Sequence, residues 1–215
     1  MRTVGILGGM GPEATVELMA RVIRAVPATD DAGHVPLIVD QNPQVPSRIA
    51  HLVEGRGADP GPVLRAMAER LIGAGAQALA MPCNTAHAYA AALPRRVPLL
   101  DMVALSVAAA AARGGRAAVL GSPALAVARV FEAAMAARGM DFAYAHDLDL
   151  IRAVKREGAT ASHRAAFARL AAAVDADIVI VACTEFSLLA APDPRLIDSL
   201  DVLVGAIVAF AKGSG

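Results

Sequence analysis

The sequence predicts an α/β protein made of two similar halves, and three observations carry that expectation. Short continuous apolar runs alternate with helix-length stretches along the chain, the pattern of buried parallel strands joined by helices. Val4-Gly5-Ile6-Leu7-Gly8-Gly9 is echoed by Ala117-Ala118-Val119-Leu120-Gly121-Ser122, with Leu120 standing 113 residues after Leu7. Each half also holds one of the two cysteines, Cys83 and Cys183, 100 residues apart. Similar offsets imply two related halves, the second somewhat shorter. A chain of 215 residues is long enough for both to share a sizeable core.

Val4 to Leu7 reads as a buried strand, and Gly8-Gly9-Met10-Gly11 as a tight loop. Pro12 and Glu13 open a helix to about Ala25, with proline at its tolerated first position and an acid in the first turn. Pro36 to Asp40 is a strand, and Gln41 to Arg48 a proline-punctuated loop. Pro62 to Ala74 is helical. Ala76 to Met81 is a buried strand, and Ala86 to about Leu93 an alanine-rich helix. A short strand at Val97–Leu100 and a helix over Val103–Ala112 follow. In the second half, Ala117 to Ser122 is a strand and Ala124 to Gly139 one helix. Asp141 to Ala145 is a strand, Leu148–Glu157 and His163–Val174 are helices, and Asp177 to Ala182 is a strand. Ser199 to Lys212 has helical periodicity.

Composition narrows the function classes. Twenty basic residues balance twenty acidic ones, so there is no electrostatic footprint for nucleic acid and no polybasic membrane patch. Low charge favours association, and a homodimer is expected. No leader and no membrane-length apolar run is visible, which gives the expectation of a cytoplasmic protein with reduced thiols.

The two cysteines are the chemical signal. Each ends an apolar run and precedes small polar residues: Met81-Pro82-Cys83-Asn84-Thr85-Ala86-His87 and Cys183-Thr184-Glu185-Phe186-Ser187. A thiol at a strand-to-helix junction faces unpaired N–H groups, which favour the thiolate. Parallel sheets place such junctions at the C-terminal strand ends, so the two thiols are expected to face each other across a cleft. Three readings stay open on the residues alone. They are two structural thiols, a metal site from Cys83, Cys183 and His87 that lacks a fourth ligand, and an acid–base pair. The loop Gly9-x-Gly11-x-x-Ala14 with Asp40 also fits a dinucleotide pattern, but Pro12 removes an N–H from that cradle, and a small carboxylate suits the loop better.

Four motifs, in order, resemble the aspartate/glutamate racemase superfamily: Gly5-Ile6-Leu7-Gly8-Gly9-Met10-Gly11-Pro12, Asn42-Pro43-x-x-Pro46-x-Arg48, the Cys83 segment and Cys183-Thr184-Glu185. The opening Gly-Gly-Met and the second-thiol Cys-Thr-Glu resemble the aspartate racemase branch. The resemblance implies two pseudo-symmetric flavodoxin-like subdomains, each with a mainly parallel sheet flanked by helices and the active site between them. The expected division is 1–98 plus 200–215 with Cys83, and 99–199 with Cys183. It further implies racemisation of an acidic amino acid, aspartate foremost, by proton transfer between Cys83 and Cys183 with no cofactor and no metal. By the same resemblance Cys183 faces the L-isomer and Cys83 the D-isomer.

Substrate contacts are expected from Met10 of the opening motif and from Asn84, Thr85, Thr184 and Glu185 beside the thiols. Arg48 is expected at the distal carboxylate, whose two oxygens suit its planar fork, and Lys155 supplies a second positive charge. The family commonly carries a threonine-rich stretch where this chain has Gly121-Ser122-Pro123, so Ser122 stands in for one hydroxyl. The competing functions are a racemase of glutamate or hydantoin, and a catalytically silent amino-acid-binding protein.

Overall fold

A computed structural model of the chain describes residues 1–213; residues 214 and 215, which end the expected first subdomain, lie outside the described residues. The first apolar run forms β1 (Val4–Gly8), and α1 (Pro12–Ala25) starts at the predicted proline. β2 (Leu37–Gln41), α2 (Arg48–Leu52), α3 (Gly61–Gly73), β3 (Ala78–Ala80) and β4 (Leu99–Leu100) complete the first sheet and its helices. α4 (Met102–Arg113) leads to β5 (Ala117–Gly121), α5 (Pro123–Val127), α6 (Glu132–Ala136), β6 (Phe142–His146) and α7 (Leu148–Glu157). α8 (Ala161–Ala173), β7 (Ile178–Ala182), α9 (Thr184–Ser187), β8 (Leu196–Asp198) and α10 (Ser199–Lys212) follow.

Both sheets are parallel throughout, in the orders β2-β1-β3-β4 and β6-β5-β7-β8. The two orders are the same once the halves are overlaid, as the repeated sequence pattern implied. In each sheet the first strand is central and the connections diverge on either side of it. The crevice therefore opens at the C-terminal ends of β1 and β3, and of β5 and β7.

Each sheet is covered on both faces, and the alternation of side chains decides which face a thiol joins. In β7, Ile178, Ile180 and Ala182 pack with α4 and α6, while Val179 and Val181, continued by Cys183, pack with α7 and α8. On the first sheet, Leu79, Met81 and Cys83 share the face covered by α3. α10 closes the other face: Leu200, Leu203, Val204, Ile207 and Ala211 are buried against Val4, Ile6, Leu18 and Val22. Full burial of each of the larger side chains is worth roughly 1.5–3 kcal/mol, enough to hold the chain end against the first sheet. Arg2 adds a bond from its Nε to the Phe210 carbonyl, at 2.7 Å.

Four local expectations are corrected. The segment after Cys83 is a 3-10 helix, Thr85–Ala92, where an α-helix was expected. Its start is tied down by His87, and Pro94 stops it from propagating. The single helix expected over Ala124–Gly139 is broken at Arg129, which takes a left-handed φ of 52°. In an unbroken helix Phe131 would lie roughly 120° around the axis from Leu125. The break turns Phe131 and Met135 into the same core as Leu125. β8 was not expected, because Leu196 and Ile197 give too short an apolar run to register as a strand. The loop through Arg48 was expected to be irregular, but it passes into α2, whose N-cap Ser47 accepts from the Ala50 N–H.

Candidate active site

A cavity of roughly 430 Å³ opens at the crevice between the two sheets. All ten residues singled out in the sequence line it: Met10, Arg48, Cys83, Asn84, Thr85, Ser122, Lys155, Cys183, Thr184 and Glu185. The topology explains the convergence, since Met10 follows β1, Cys83 follows β3, Ser122 follows β5 and Cys183 follows β7. Both cysteines are free, and each keeps 8% exposure, so neither is sealed in the core.

The second thiol loop is the more tightly wired. Cys183 is the N-cap of α9, and its Sγ donates to Glu185 Oε2 at 3.0 Å. Burial pushes the Cys183 pKa well above the usual thiol value, and the neighbouring Glu185 carboxylate pushes it further. Glu185 Oε1 is paired with Lys155 Nζ at 2.8 Å. Burial pulls the Lys155 pKa down, but the charge and hydrogen bond of Glu185, with the two nearby thiols, together outweigh it and leave the ammonium more firmly protonated than usual. Gly11 makes room for this pair, since a Cβ there would lie 3.3 Å from Glu185 Oε1.

The first thiol loop is held by its backbone. The Cys83 N–H donates to Met81 O at 2.8 Å, and the Cys83 carbonyl accepts from the Ala86 N–H and from His87 Nδ1. His87 Nε2 accepts from the Met102 N–H at 3.2 Å, so the ring's one proton sits on Nδ1. Burial lowers the His87 pKa, in keeping with this neutral form. Both ring nitrogens are therefore committed, and His87 is a structural tie and not a metal ligand. Among the described residues no group of three or more His, Cys, Asp or Glu side chains is placed to hold a metal ion. Asn84 is 2% exposed, and its Nδ2 donates to Ser199 Oγ at 2.9 Å, while Oδ1 has no partner among the described residues.

Cations dominate the charged part of the remaining lining. Arg48 Nη1 donates to the Val45 and Pro46 carbonyls, which fixes the guanidinium at the start of α2. Arg56 and Arg152 also face the cavity, each near a different oxygen of Glu54, at 2.5 and 3.9 Å. Four cationic side chains against two carboxylates favour an anionic occupant. The sequence reading missed Arg56, Arg152 and Glu54. Arg152 had a signal: three residues before Lys155, it lies on the same side of α7. Ser122 accepts from the Ala124 N–H, leaving its own proton free for the cavity.

The glycine loop is shaped by close packing. The Gly9 N–H is donated to Thr15 Oγ1, Gly8 lies against the Thr15 side chain, and Asp40 is bound by Arg70. The N–H and the acid that a dinucleotide would need are both engaged within the protein.

Solved structures share this fold. The aspartate racemase of Picrophilus torridus superposes with a TM-score of 0.88 at 24% identity, covering 99% of this chain and 95% of its own. An aspartate racemase homologue from Pyrococcus horikoshii gives 0.71 at 20% identity, over 99% of this chain and all of that one. A glutamate racemase from Bacillus anthracis gives 0.72 at 20% identity, over all of this chain and 83% of that one. At these identities the likeness is one of fold. The family described as Asp/Glu/Hydantoin racemase matches residues 7–207 in sequence, and the chain belongs to that family of racemases.

Proposed function

We propose that the protein racemises an acidic amino acid, aspartate foremost, by passing the α-proton between Cys83 and Cys183. The observation that carries the proposal is that two free thiols, from equivalent ends of two equivalent sheets, line one small cation-rich cavity. Racemisation needs a base on one face of the α-carbon and an acid on the other. With Cys183 held as a thiol, Cys83 is the base that opens one direction. Its thiolate takes the α-proton, the C–H electron pair moves into the α-carboxylate, and Cys183 delivers its proton to the opposite face. The enzyme is then left with the two protonation states exchanged, ready for the reverse direction.

The remaining residues hold the substrate. The N–H groups of Asn84, Thr85, Thr184 and Glu185 lie in the first turns after the thiols, where no intrahelical acceptor exists, and they receive the α-carboxylate as it gains charge. The orphan Asn84 Oδ1 accepts from the ammonium group. Arg48 binds the distal carboxylate through the edge that its loop leaves free, with Arg152 and Arg56 alongside, and the Ser122 hydroxyl donates from the second sheet. Met10 supplies an apolar wall. Lys155 holds the Glu185 side chain in place through their ion pair and offsets the charge of either thiolate.

No pyridoxal phosphate is invoked. The two lysines of the chain are Lys155 and Lys212. Lys155 is a firmly protonated partner of Glu185, the wrong state for forming a Schiff base. The working species is proposed to be a cytoplasmic homodimer. Val16 and Ile23, exposed on α1 at 59% and 56%, favour association. Sedimentation as a monomer at working concentration would remove that part.

Incubation in deuterated solvent tests the proposal. L- and D-aspartate should each gain one deuterium at the α-carbon and approach a racemic mixture, with glutamate and a hydantoin run beside them. Binding of aspartate without exchange of either enantiomer would identify a silent binder, and faster turnover of another substrate would move the specificity.

A further inference from the structure

Ser199 lies at the first position of α10, fully buried and outside the cavity lining, yet it touches both thiol loops. Its Oγ is 2.7 Å from the carbonyl oxygen of Val181, two residues before Cys183, and 2.9 Å from the side-chain amide of Asn84, the residue after Cys83. A serine hydroxyl has one proton. A carbonyl can only accept, so that proton is committed to Val181. Ser199 Oγ must then act as acceptor towards Asn84, and only an NH2 group can donate to it. If the amide were turned over, its oxygen would face a hydroxyl oxygen with no proton left, both buried. The network, and nothing on Asn84 itself, settles which end of the amide points inward.

We infer that Ser199 is a positioning residue: it locks the Asn84 amide so that Oδ1, and never the NH2 group, faces the substrate. The inference rests on the proposed reaction for its consequence. A buried acceptor with no partner is stabilised by a donor, and the substrate's ammonium is the donor that an amino acid brings and a plain dicarboxylate lacks. The lock therefore discriminates for the amino group from a position one residue behind the site. It also couples the halves, since the Asn84 side chain is held by a hydroxyl that is anchored on the strand leading to the other thiol.

The neighbouring residue makes the matching tie on the other side. Asp198 Oδ1 accepts from Ser187 Oγ at 2.6 Å, just after the Cys183 loop. The junction of β8 and α10 thus grips one thiol loop through Asp198 and the other through Ser199.

The test compares wild type, Ser199→Ala and Ser199→Thr with two ligands, aspartate and succinate, which differ by the ammonium group. Calorimetry should show aspartate weakened by about tenfold or more in Ser199→Ala, the size expected for a charged hydrogen bond, with succinate within about twofold. Ser199→Thr, which restores the hydroxyl, should recover most of the loss. Independently, the Asn84 side-chain NH2 resonances, assigned by their disappearance in Asn84→Asp, should be protected from solvent exchange in wild type and lose that protection in Ser199→Ala. Unchanged protection would overturn the lock, and so would succinate weakening in step with aspartate. If wild type neither binds nor exchanges aspartate, the proposed reaction fails, and the amide protection still decides the role of Ser199.

Discussion

At the scale of single residues, the two cysteines are chemically unequal although their positions are equivalent. Cys183 donates to a carboxylate that also holds Lys155, whereas Cys83 has a backbone-anchored loop and, among the described residues, no acidic side chain bonded to it. Because a racemisation has an equilibrium constant of one, the inequality cannot make kcat/KM differ between enantiomers; it sets which protonation form the resting enzyme holds. Replacing either cysteine with serine should lower racemisation by about 10²–10⁴-fold. Each variant should still exchange the α-hydrogen of at most one enantiomer, opposite in the two cases. Substantial racemisation in either variant would end the two-thiol scheme. Glu185→Gln removes the negative charge beside Cys183, so the alkylation of that thiol should begin at lower pH than in wild type. Burial, the larger cause, persists, so the pKa should stay above the ordinary thiol value. Iodoacetamide labelling of Cys183 followed by mass across pH reads this directly.

Local elements show where conformational freedom has been given up. Gly9 holds φ at +91°, and a Cβ there would collide with the backbone of Asn42. Gly9→Ala should therefore cost about 1–3 kcal/mol or more, seen as a lower denaturant midpoint with an unchanged slope. Arg21 of α1 is the other concentration of constraint. It donates to Asp198, Asp201 and the Ser187 carbonyl, and Glu17 steadies its Nε. Arg21→Ala leaves the buried Asp198 without its main counter-charge and should cost about 3 kcal/mol, or roughly 6–12 °C in Tm. The same change should loosen the grip on the Cys183 loop, so racemisation should fall at temperatures where the fold persists. We propose the division 1–98 plus 200–215 against 99–199 on the packing of α10, with Leu99 and Leu100 moved to the first part because β4 pairs with β3 there. Its apolar side chains belong to the first sheet's core, and its first residue contacts β7.

For the molecule as a whole, ligand binding should be read as stability, because the cavity walls come from both halves. At a hundredfold excess over Kd, aspartate should add about 2.7 kcal/mol, and a rise of roughly 5–10 °C in Tm is expected for a chain of this length. A ligand that raises Tm without exchange at the α-carbon would support binding alone.

Much of this was legible in the chain itself. Apolar runs of strand length mark β1, β5 and β7, Pro12 and the acid Glu13 set the start of α1, and the repeat announces two like sheets. Eight of the ten expected lining residues follow strand ends, and Arg48 and Lys155, on α2 and α7, came from the family resemblance. What escaped were features with no local signature. Glu54, Arg56 and Arg152 reach the cavity from loops or helix faces whose direction only packing fixes. β8 is too short to pattern, and the break at Arg129 exists because the core needs Phe131 in phase with Leu125. The sequence alone determined the architecture and the placement of two thiols at equivalent junctions, because periodicity and strand-end position are local properties. Tertiary structure alone decided the protonated state of Cys183, the neutral tautomer of His87 and the orientation of Asn84. Each of these depends on a partner distant in sequence or on the burial that packing creates.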